Sequence, residues 1–191
     1  MRSGTADDNA FVRELSAEVF EQFGDYGSFL PMYLTHPSVF TVVAEKARRP
    51  VGFVMLALVS SQRAMPWQEP RDADDAGDAG DAGDLDDLDD LDAADDLDQE
   101  WLDAEVLAIA VDPGQQGLGV GTALLRHVLN SAEAWHHTTD VRSVQLNVAH
   151  TNARAMAFFD KMGFVTVDPN DGSYPRGQRS IRMALRLGVV P

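Results

Sequence analysis

The chain has 191 residues, no cysteine and a formal net charge of −16 at pH 7. This length suits a single domain, 1–191, with a sizeable core. The lack of cysteine excludes disulfides, thiolate metal sites and a cysteine nucleophile. The first residues lack the apolar segment of a signal peptide, and the longest apolar stretch, 51–59, is far too short for a membrane span. We therefore expect a soluble, cytoplasmic protein.

The negative charge is concentrated in one acidic segment. Residues 69–105 hold 18 of the 31 acidic residues and one of the 15 basic ones, so the rest of the chain is nearly neutral. Repeated Asp residues repel one another and favour neither helix nor strand, so we predict that 66–103 is a disordered, solvated insert. Two alternatives stay open. These are a weak helical stripe of Leu85, Leu88 and Leu91, and calcium binding, although no DxDxDG loop is present.

Hydrophobic periodicity predicts alternating helices and strands along the remaining chain. Asp7 or Asp8 precedes the first predicted helix as a candidate N-cap. The pattern predicts an α/β protein with a mixed central sheet of about six to seven strands flanked by helices. The predicted helices are 9–23, 28–34, 121–135 and 152–162, and the predicted strands are 39–45, 51–60, 104–111, 142–149, 164–168 and 179–187.

A strand, a glycine-rich loop and a helix follow one another from Glu105 to Leu125, EVLAIAVDPGQQGLGVGTALL. Glycines allow a close approach to the main chain, and the N–H groups at a helix N-terminus attract anions, so this segment predicts a phosphate cradle. A P-loop is excluded because no Lys lies between Lys46 and Lys161. A dinucleotide fingerprint fits poorly, since Thr122 stands at its third glycine position.

Two motifs in order resemble the GNAT acetyltransferases. Residues 116–121, QGLGVG, resemble the family's Q/R-x-x-G-x-G/A pyrophosphate loop. The second cofactor motif of the family is similar to 146–164, LNVAHTNARAMAFFDKMGF. Its matching positions are Asn152, Ala155, Phe158, Gly163 and Phe164. Phe159 departs from the pattern, because the family commonly has Tyr there.

The resemblance implies the GNAT acyl-CoA N-acyltransferase fold and transfer of an acetyl group from acetyl-CoA to a primary amine. The amine would be a protein N-terminus, a lysine or a small molecule. Proteins of this family begin with a strand before the first helix. Residues 1–6 are a short segment for such a strand, so its presence is left open. The residues implied in binding acetyl-CoA are Ile109, Ala110, Val111, Gln116, Gly117, Leu118, Gly119, Val120, Gly121, Thr122, Asn152 and Phe159.

Glu105 is the candidate general base, because its spacing to Gln116 and Gly119 resembles that of the catalytic Glu in the histone acetyltransferase branch. Strand alternation would place Glu105 on one face with Leu107, Ile109 and Val111, where partial desolvation makes a carboxylate a better base. Three alternatives stay open. Glu105 would be a charged residue at the start of a strand without a catalytic role, Asp103 would be the base, or water would relay the proton without a protein base.

Position 159 supplies no proton donor for the departing thiolate, because Phe cannot donate a proton. Water or Tyr174 would have to replace the usual Tyr at position 159. Asn152 has a plain N-cap as its structural alternative. The histidines show no metal-ligand spacing.

An alternative function is an acetyl-CoA-binding regulatory module with little or no transferase activity. We expect a monomer or homodimer without nucleic-acid or membrane partners, because the neutral body has no basic patch in its sequence. The acidic insert directly precedes Glu105, so it would attract cationic acceptors toward the site.

Overall fold

The computed structural model describes residues 1–61, 101–139 and 141–188. The predictions for the acidic insert up to residue 100 lie outside these residues. The helices are α1 Asn9–Phe20, α2 Tyr26–Phe29, α3 Val120–Thr139 and α4 Ala153–Lys161. The strands are β1 Arg2–Ser3, β2 Val39–Lys46, β3 Arg49–Ser61, β4 Trp101–Val111, β5 Val141–Ala149, β6 Val165–Asp168 and β7 Ser180–Arg186.

The described strands form one seven-stranded sheet in the order β1-β2-β3-β4-β5-β7-β6. Only β4 and β5 pair in parallel, and the other described pairs are antiparallel. The parallel pair is joined by the long helix α3, as a parallel connection requires. The predicted mixed α/β sheet is therefore confirmed. The first strand is present, although it has two residues, and it pairs Arg2 with Val43.

Several element boundaries differ from the predictions. The fourth strand begins at Trp101 rather than at 104, so Asp103 lies in the sheet and not in the insert. The first helix ends at Phe20, before the predicted end at 23. The predicted helix 28–34 is α2 followed by a 3₁₀ turn, Leu30–Tyr33. Helix α3 runs four residues beyond the predicted end, to Thr139.

Hydrophobic side chains cover both faces of the sheet. On one face, α3 and α4 pack a large cluster that includes Leu124, Leu125 and Phe164. On the other face, α1 and the 3₁₀ turn after α2 bury a smaller cluster around Phe53 and Met55. None of the helices within the described ranges is both long and apolar enough to cross a membrane.

A bulge interrupts β4 at Leu107. Met55 of β3 pairs with Ala108, whereas the next residue, Leu56, pairs with Val106, so Leu107 is an extra residue on β4. An extra residue reverses the alternation of side chains along a strand. Ala108 and Ala110 therefore face α1, whereas Ile109 and Val111 pack toward α3 and α4. The prediction that Glu105 shares a face with Ile109 and Val111 is wrong for this reason.

The sheet also opens between its two central parallel strands. The pairing of β4 with β5 ends at Val106 and Leu146. Beyond this point, β4 keeps β3 as its neighbour up to Val111, and β5 keeps β7 up to Ala149. The facing main-chain edges of 107–111 and 147–149 have no strand partner among the described residues. This gap positions the candidate site.

Candidate active site

The loop after β4 is folded by short-range hydrogen bonds and by glycine. Oδ1 of Asp112 accepts a hydrogen bond from the Gly114 N–H at 2.7 Å, which starts the 3₁₀ turn Pro113–Gln115. Gly117 and Gly119 have φ angles of 79° and 84°. These left-handed angles favour glycine, because a Cβ would be strained there. The chain then enters α3 at Val120.

The main-chain N–H groups of 117–122 make no hydrogen bond to any described residue. Three of these groups belong to the first turn of α3, a 20-residue helix whose N-terminus carries a partial positive charge. A Cβ at Gly117 or Gly119 would meet nothing within 4 Å, so the loop borders open space. Such an arrangement of donors suits a phosphate or pyrophosphate group.

A cavity of about 440 Å³ adjoins this loop, and we call it the glycine-loop cavity. Nine of the residues predicted to bind acetyl-CoA line it. They are Ile109, Val111, Gln116, Gly117, Gly119, Gly121, Thr122, Asn152 and Phe159. The other three do not line it. Ala110 is buried on the α1 side of the sheet, Leu118 is 63% exposed, and Val120 packs against the core.

Gln116 bridges the loop to both neighbouring elements. Its Nε2 donates a hydrogen bond to the carbonyl oxygen of Val111 at 3.1 Å, and its Oε1 accepts one from Nη1 of Arg154 at 2.9 Å. Arg154 brings a cation to the glycine-loop cavity. Arg154 was not among the predicted site residues, although it lies between Asn152 and Ala155 of the second motif.

Asn152 caps α4, because its side-chain oxygen accepts a hydrogen bond from the Ala155 N–H at 3.1 Å. Asn152 therefore has the N-cap role that was its structural alternative. Asn152 also lines the glycine-loop cavity, so the cap does not remove it from the site.

Phe159, which stands where the family commonly has Tyr, is 5% exposed and packs edge-on against Phe164, with ring centroids 5.8 Å apart. It offers a hydrophobic wall and no proton.

A second cavity, of about 330 Å³, lies where β4 and β5 separate, and we call it the carboxylate cavity. Glu105 lines it together with Asn147, Asp171 and Tyr174. Glu105 is partly buried, and its side chain makes no ion pair or hydrogen bond with a described residue. The candidate base therefore lies on a cavity wall with its carboxylate open to a ligand.

Asp103, the alternative base, is placed differently. It is 2% exposed and lines neither cavity. Its carboxylate accepts hydrogen bonds from Oγ of Ser143, at 2.6 Å, and from Nε2 of Gln145. These bonds tie β4 to β5 just before the two strands separate. The structure gives Asp103 a structural role rather than contact with a ligand.

Tyr174 belongs to a segment that roofs the carboxylate cavity. Its ring packs on Phe23, with centroids 5.3 Å apart. The same segment donates hydrogen bonds to the turn that follows α1, from Arg176 N–H to the Phe23 carbonyl oxygen at 3.3 Å and from Gln178 Nε2 to that of Gln22 at 2.6 Å. Burial, helped by nearby Tyr26, raises the pKa of Tyr174 to about 12. The hydroxyl therefore stays protonated at neutral pH and can donate a hydrogen bond.

Asn147 and Asp171 form a polar wall of the carboxylate cavity that was not predicted from the sequence. Nδ2 of Asn147 donates a hydrogen bond to Oδ2 of Asp171 at 3.1 Å. A signal for part of this wall exists in β5, where the polar residues Ser143, Gln145 and Asn147 alternate with buried aliphatic ones. Such alternation indicates that one face of the strand serves a purpose other than core packing.

The two cavities share a wall, so they are neighbouring parts of one cleft. The residues that line both are Phe20, Phe23, Ile109, Asn152, Ala155 and Phe159. One part offers main-chain donors and Arg154, and the other offers a carboxylate and a tyrosine. The cleft can therefore hold an anionic ligand on one side and a hydrogen-bonding or cationic ligand on the other.

Comparison with known proteins agrees with this geometry. Residues 91–164 match the family model described as "Acetyltransferase (GNAT) family". Over 90 residues, or 46% of this chain, the sequence is 34% identical to ribosomal protein bS18-alanine N-acetyltransferase of Salmonella typhimurium. It is 33% identical to the Escherichia coli protein of that name over the same length. The chain spans 58% of the length of these relatives.

Solved structures show the same fold over nearly the whole chain. Arabidopsis thaliana NAA60 in complex with acetyl-CoA superposes with a TM-score of 0.70 at 15% identity, covering 98% of each chain. The ribosomal-protein-S18-alanine N-acetyltransferase from Escherichia coli gives a TM-score of 0.54 at 18% identity, covering 97% of this chain and 90% of its own. Residues 91–164 are thus similar in sequence to the GNAT acetyltransferase family, and nearly the whole chain shares the fold of these solved N-acetyltransferases.

Proposed function

We propose that the protein is an N-acetyltransferase that moves an acetyl group from acetyl-CoA to a primary amine. The observation that carries this proposal is the shared wall between the glycine-loop cavity and the carboxylate cavity. A donor on one side and an acceptor on the other would meet at the gap between β4 and β5. Direct transfer needs this proximity, because both reactants must be held together in the correct orientation.

Binding of acetyl-CoA would use the main chain of two segments. The N–H groups of 117–122 would hold the pyrophosphate, helped by the positive end of α3. The unpaired edge of β4 at Ile109–Val111 would bond the pantetheine arm as a strand neighbour would. One of these N–H groups would also polarise the thioester carbonyl. Arg154 would add a cation to the phosphate side of the cavity.

The chemistry forms an amide bond between the acceptor nitrogen and the acetyl carbon while the carbon–sulfur bond to CoA breaks. An ammonium ion cannot attack, so the acceptor must first lose a proton. Glu105 would take this proton, directly or through one water, because its carboxylate is open to the cavity. The departing thiolate would gain a proton from water or from Tyr174, which lines the same cavity.

For the acceptor, we propose the N-terminal amine of a protein as the first class to examine. The support is the name of the relatives, which acetylate an alanine of ribosomal protein bS18. A lysine side chain or a small-molecule amine would fit the same chemistry. A cytoplasmic location, where acetyl-CoA and such acceptors would meet, is part of this proposal.

The test is CoA release from acetyl-CoA with an amine panel, namely a peptide with a free N-terminal alanine, a lysine peptide with a blocked N-terminus, and spermidine. We expect turnover of at least one amine. Glu105→Gln should lower kcat about 100-fold or more, because a positioned general base contributes at least this much. The acetyl-CoA Kd should not change. Glu18→Gln, an exposed change on α1, is the matched control.

The second candidate, a binding module, is favoured by the phenylalanine at position 159, which cannot donate a proton. In that case acetyl-CoA would raise the melting temperature without turnover of any amine. A protein that neither binds acetyl-CoA nor acetylates an amine would contradict both proposals.

A further inference from the structure

A network of polar side chains lies behind the carboxylate cavity. It connects three strands with residues 169–179, the roof segment of this cavity. At one end, Asp103 of β4 accepts hydrogen bonds from Ser143 and Gln145 of β5. In the middle, Oε1 of Gln145 accepts a hydrogen bond from Nη1 of Arg182, on β7, at 3.3 Å. Arg182 thus connects the buried end of the network to the cavity wall.

At the other end, Arg182 holds Asp171 by its fork of N–H groups. Nη2 and Nε of Arg182 lie 2.8 Å and 3.1 Å from Oδ2 of Asp171. The Asp171 side chain is 6% exposed and that of Arg182 is 21% exposed, so the pair is largely shielded from water. The same Asp171 oxygen also accepts the hydrogen bond from Asn147.

The network reaches one of the two cavities and not the other. Asp171 and Asn147 line the carboxylate cavity but not the glycine-loop cavity, and Arg182 lines neither. Gln145 is the register partner of Glu105 across β4 and β5. Arg182 therefore connects Gln145, which lies beside the candidate base, with Asp171 of the segment 169–179 that roofs the cavity.

We propose that Arg182 is a positioning residue for the acceptor amine, acting through Asp171 and Gln145 without touching the substrate. This inference rests on the proposed transferase function. By fixing Asp171, Arg182 sets the position of Asn147 and of the roof segment 169–179, which carries Tyr174. By fixing Gln145 of β5, it also orders the pairing of β5 with β4 at Glu105, the candidate base that lines the cavity.

The physical reason is the cost of a shielded carboxylate that loses a cation. Without Arg182, the Asp171 carboxylate would lose a guanidinium and two hydrogen bonds. Breaking a shielded pair by removing one partner is costly, so the segment would move to expose Asp171 to water. The wall of the carboxylate cavity, where the acceptor would bind, would then change shape. The glycine-loop cavity, which the network does not reach, would keep its shape.

The test compares Arg182→Met with Arg186→Met. Arg186 lies on the same face of β7, is exposed, and makes no hydrogen bond or ion pair with a described residue, so its change removes the same charge without breaking the network. With the acceptor that the wild-type protein uses best, Arg182→Met should raise the acceptor KM about 10- to 100-fold, as misplacement of this kind does. The KM for acetyl-CoA should stay within about twofold of the wild-type value. Arg186→Met should change neither.

A double-mutant cycle with Asp171→Asn checks the route of the effect. If Arg182 acts through Asp171, the double variant should be no worse than Arg182→Met alone, because the two changes share one interaction. Should Arg182→Met fail to fold, Arg182→Lys replaces it. A lysine keeps the charge but not the fork that reaches Asp171 and Gln145 together, so the acceptor KM should still rise.

A readout that needs no activity separates this inference from the proposed function. Amide hydrogen exchange of 169–179 should be faster in Arg182→Met than in Arg186→Met, whether or not any amine is acetylated. Unchanged exchange in this segment, or equal rises in the KM values of acceptor and acetyl-CoA, would overturn the positioning role. Absence of turnover in the wild-type protein would instead count against the transferase function.

Discussion

Arg154 of α4 and Gln116 of the glycine loop are joined by a hydrogen bond of 2.9 Å, which the Gln116 side chain extends to the Val111 carbonyl oxygen. One amide group thus sets the end of β4, the loop and the first turn of α4 relative to one another. The loop has few other contacts that fix it, since the N–H groups of 117–122 bond no described residue.

Gln116→Ala should therefore weaken binding of acetyl-CoA more than it weakens the fold. We expect the Kd to rise about 5- to 10-fold, which corresponds to one or two lost hydrogen bonds. Isothermal titration measures this change. Gln115→Ala is the matched control, because Gln115 makes an exposed contact with Lys46 instead. Equal effects of the two changes would argue against a special role for Gln116.

The glycines of the loop should differ in what they tolerate. Gly119 has a φ of 84°, so Gly119→Ala should cost about 1–2 kcal/mol of conformational strain and weaken acetyl-CoA binding. Gly121 lies in the first turn of α3, and a Cβ there would meet Val111 and Phe158 at ordinary contact distances of 3.7 and 3.8 Å. Gly121→Ala should keep binding and leave stability unchanged or slightly higher. Thermal melts with and without acetyl-CoA compare the two variants.

Tyr174 makes stability depend on alkaline pH. Because burial raises its pKa to about 12 from the usual 10.0, the unfolded chain loses this proton first as the pH rises. Its contribution is complete below pH 10 and is lost as the pH rises to about 12. The free energy of unfolding of the wild type should thus fall by up to about 3 kcal/mol more than that of Tyr174→Phe over this range. Urea unfolding at pH 9 and pH 11.5 measures the difference, with Tyr33→Phe as control.

The ion pair of Arg2 with Asp8 should make the free energy of unfolding depend on acidic pH. Arg2 donates two hydrogen bonds to Asp8, of 2.6 and 2.7 Å, and holds the pKa of that nearly buried carboxyl below its usual value of 3.8. Arg2→Met should lower the free energy of unfolding at pH 7 by about 2 kcal/mol. This difference should shrink as the pH falls below 3.8, because the unfolded chain then binds the Asp8 proton first, and it should be lost as the pH falls through the lowered pKa of the folded protein. Melts from pH 2.5 to 7 check this prediction, and Arg13→Met, an exposed change, should show no such trend.

The local parts of the site could be predicted from the sequence because each is encoded in a few neighbouring residues. The glycine spacing after β4 determines the open loop and the start of α3. Asn152 followed by a helical pattern determines the cap of α4. Both lie where the sequence placed them.

Features that depend on distant contacts could not be predicted in this way. The bulge at Leu107 reverses the alternation of β4, but the residues around it are apolar and suit either face, so the sequence carries no mark of it. The contact of Tyr174 with Phe23 and the pairing of Arg182 with Asp171 join separate elements. Charged residues in β7 and in a loop do not indicate which partners they will meet.

Backbone amide shifts on addition of CoA to ¹⁵N-labelled protein show directly whether the glycine loop binds the cofactor. We predict that the largest changes lie at 109–111 and 117–122, where unpaired N–H groups would gain acceptors. Amides of Leu30–Tyr33, on the other face of the sheet, should change little. A protein whose 117–122 amides keep their shifts at saturating CoA would contradict the claim that this loop holds the donor.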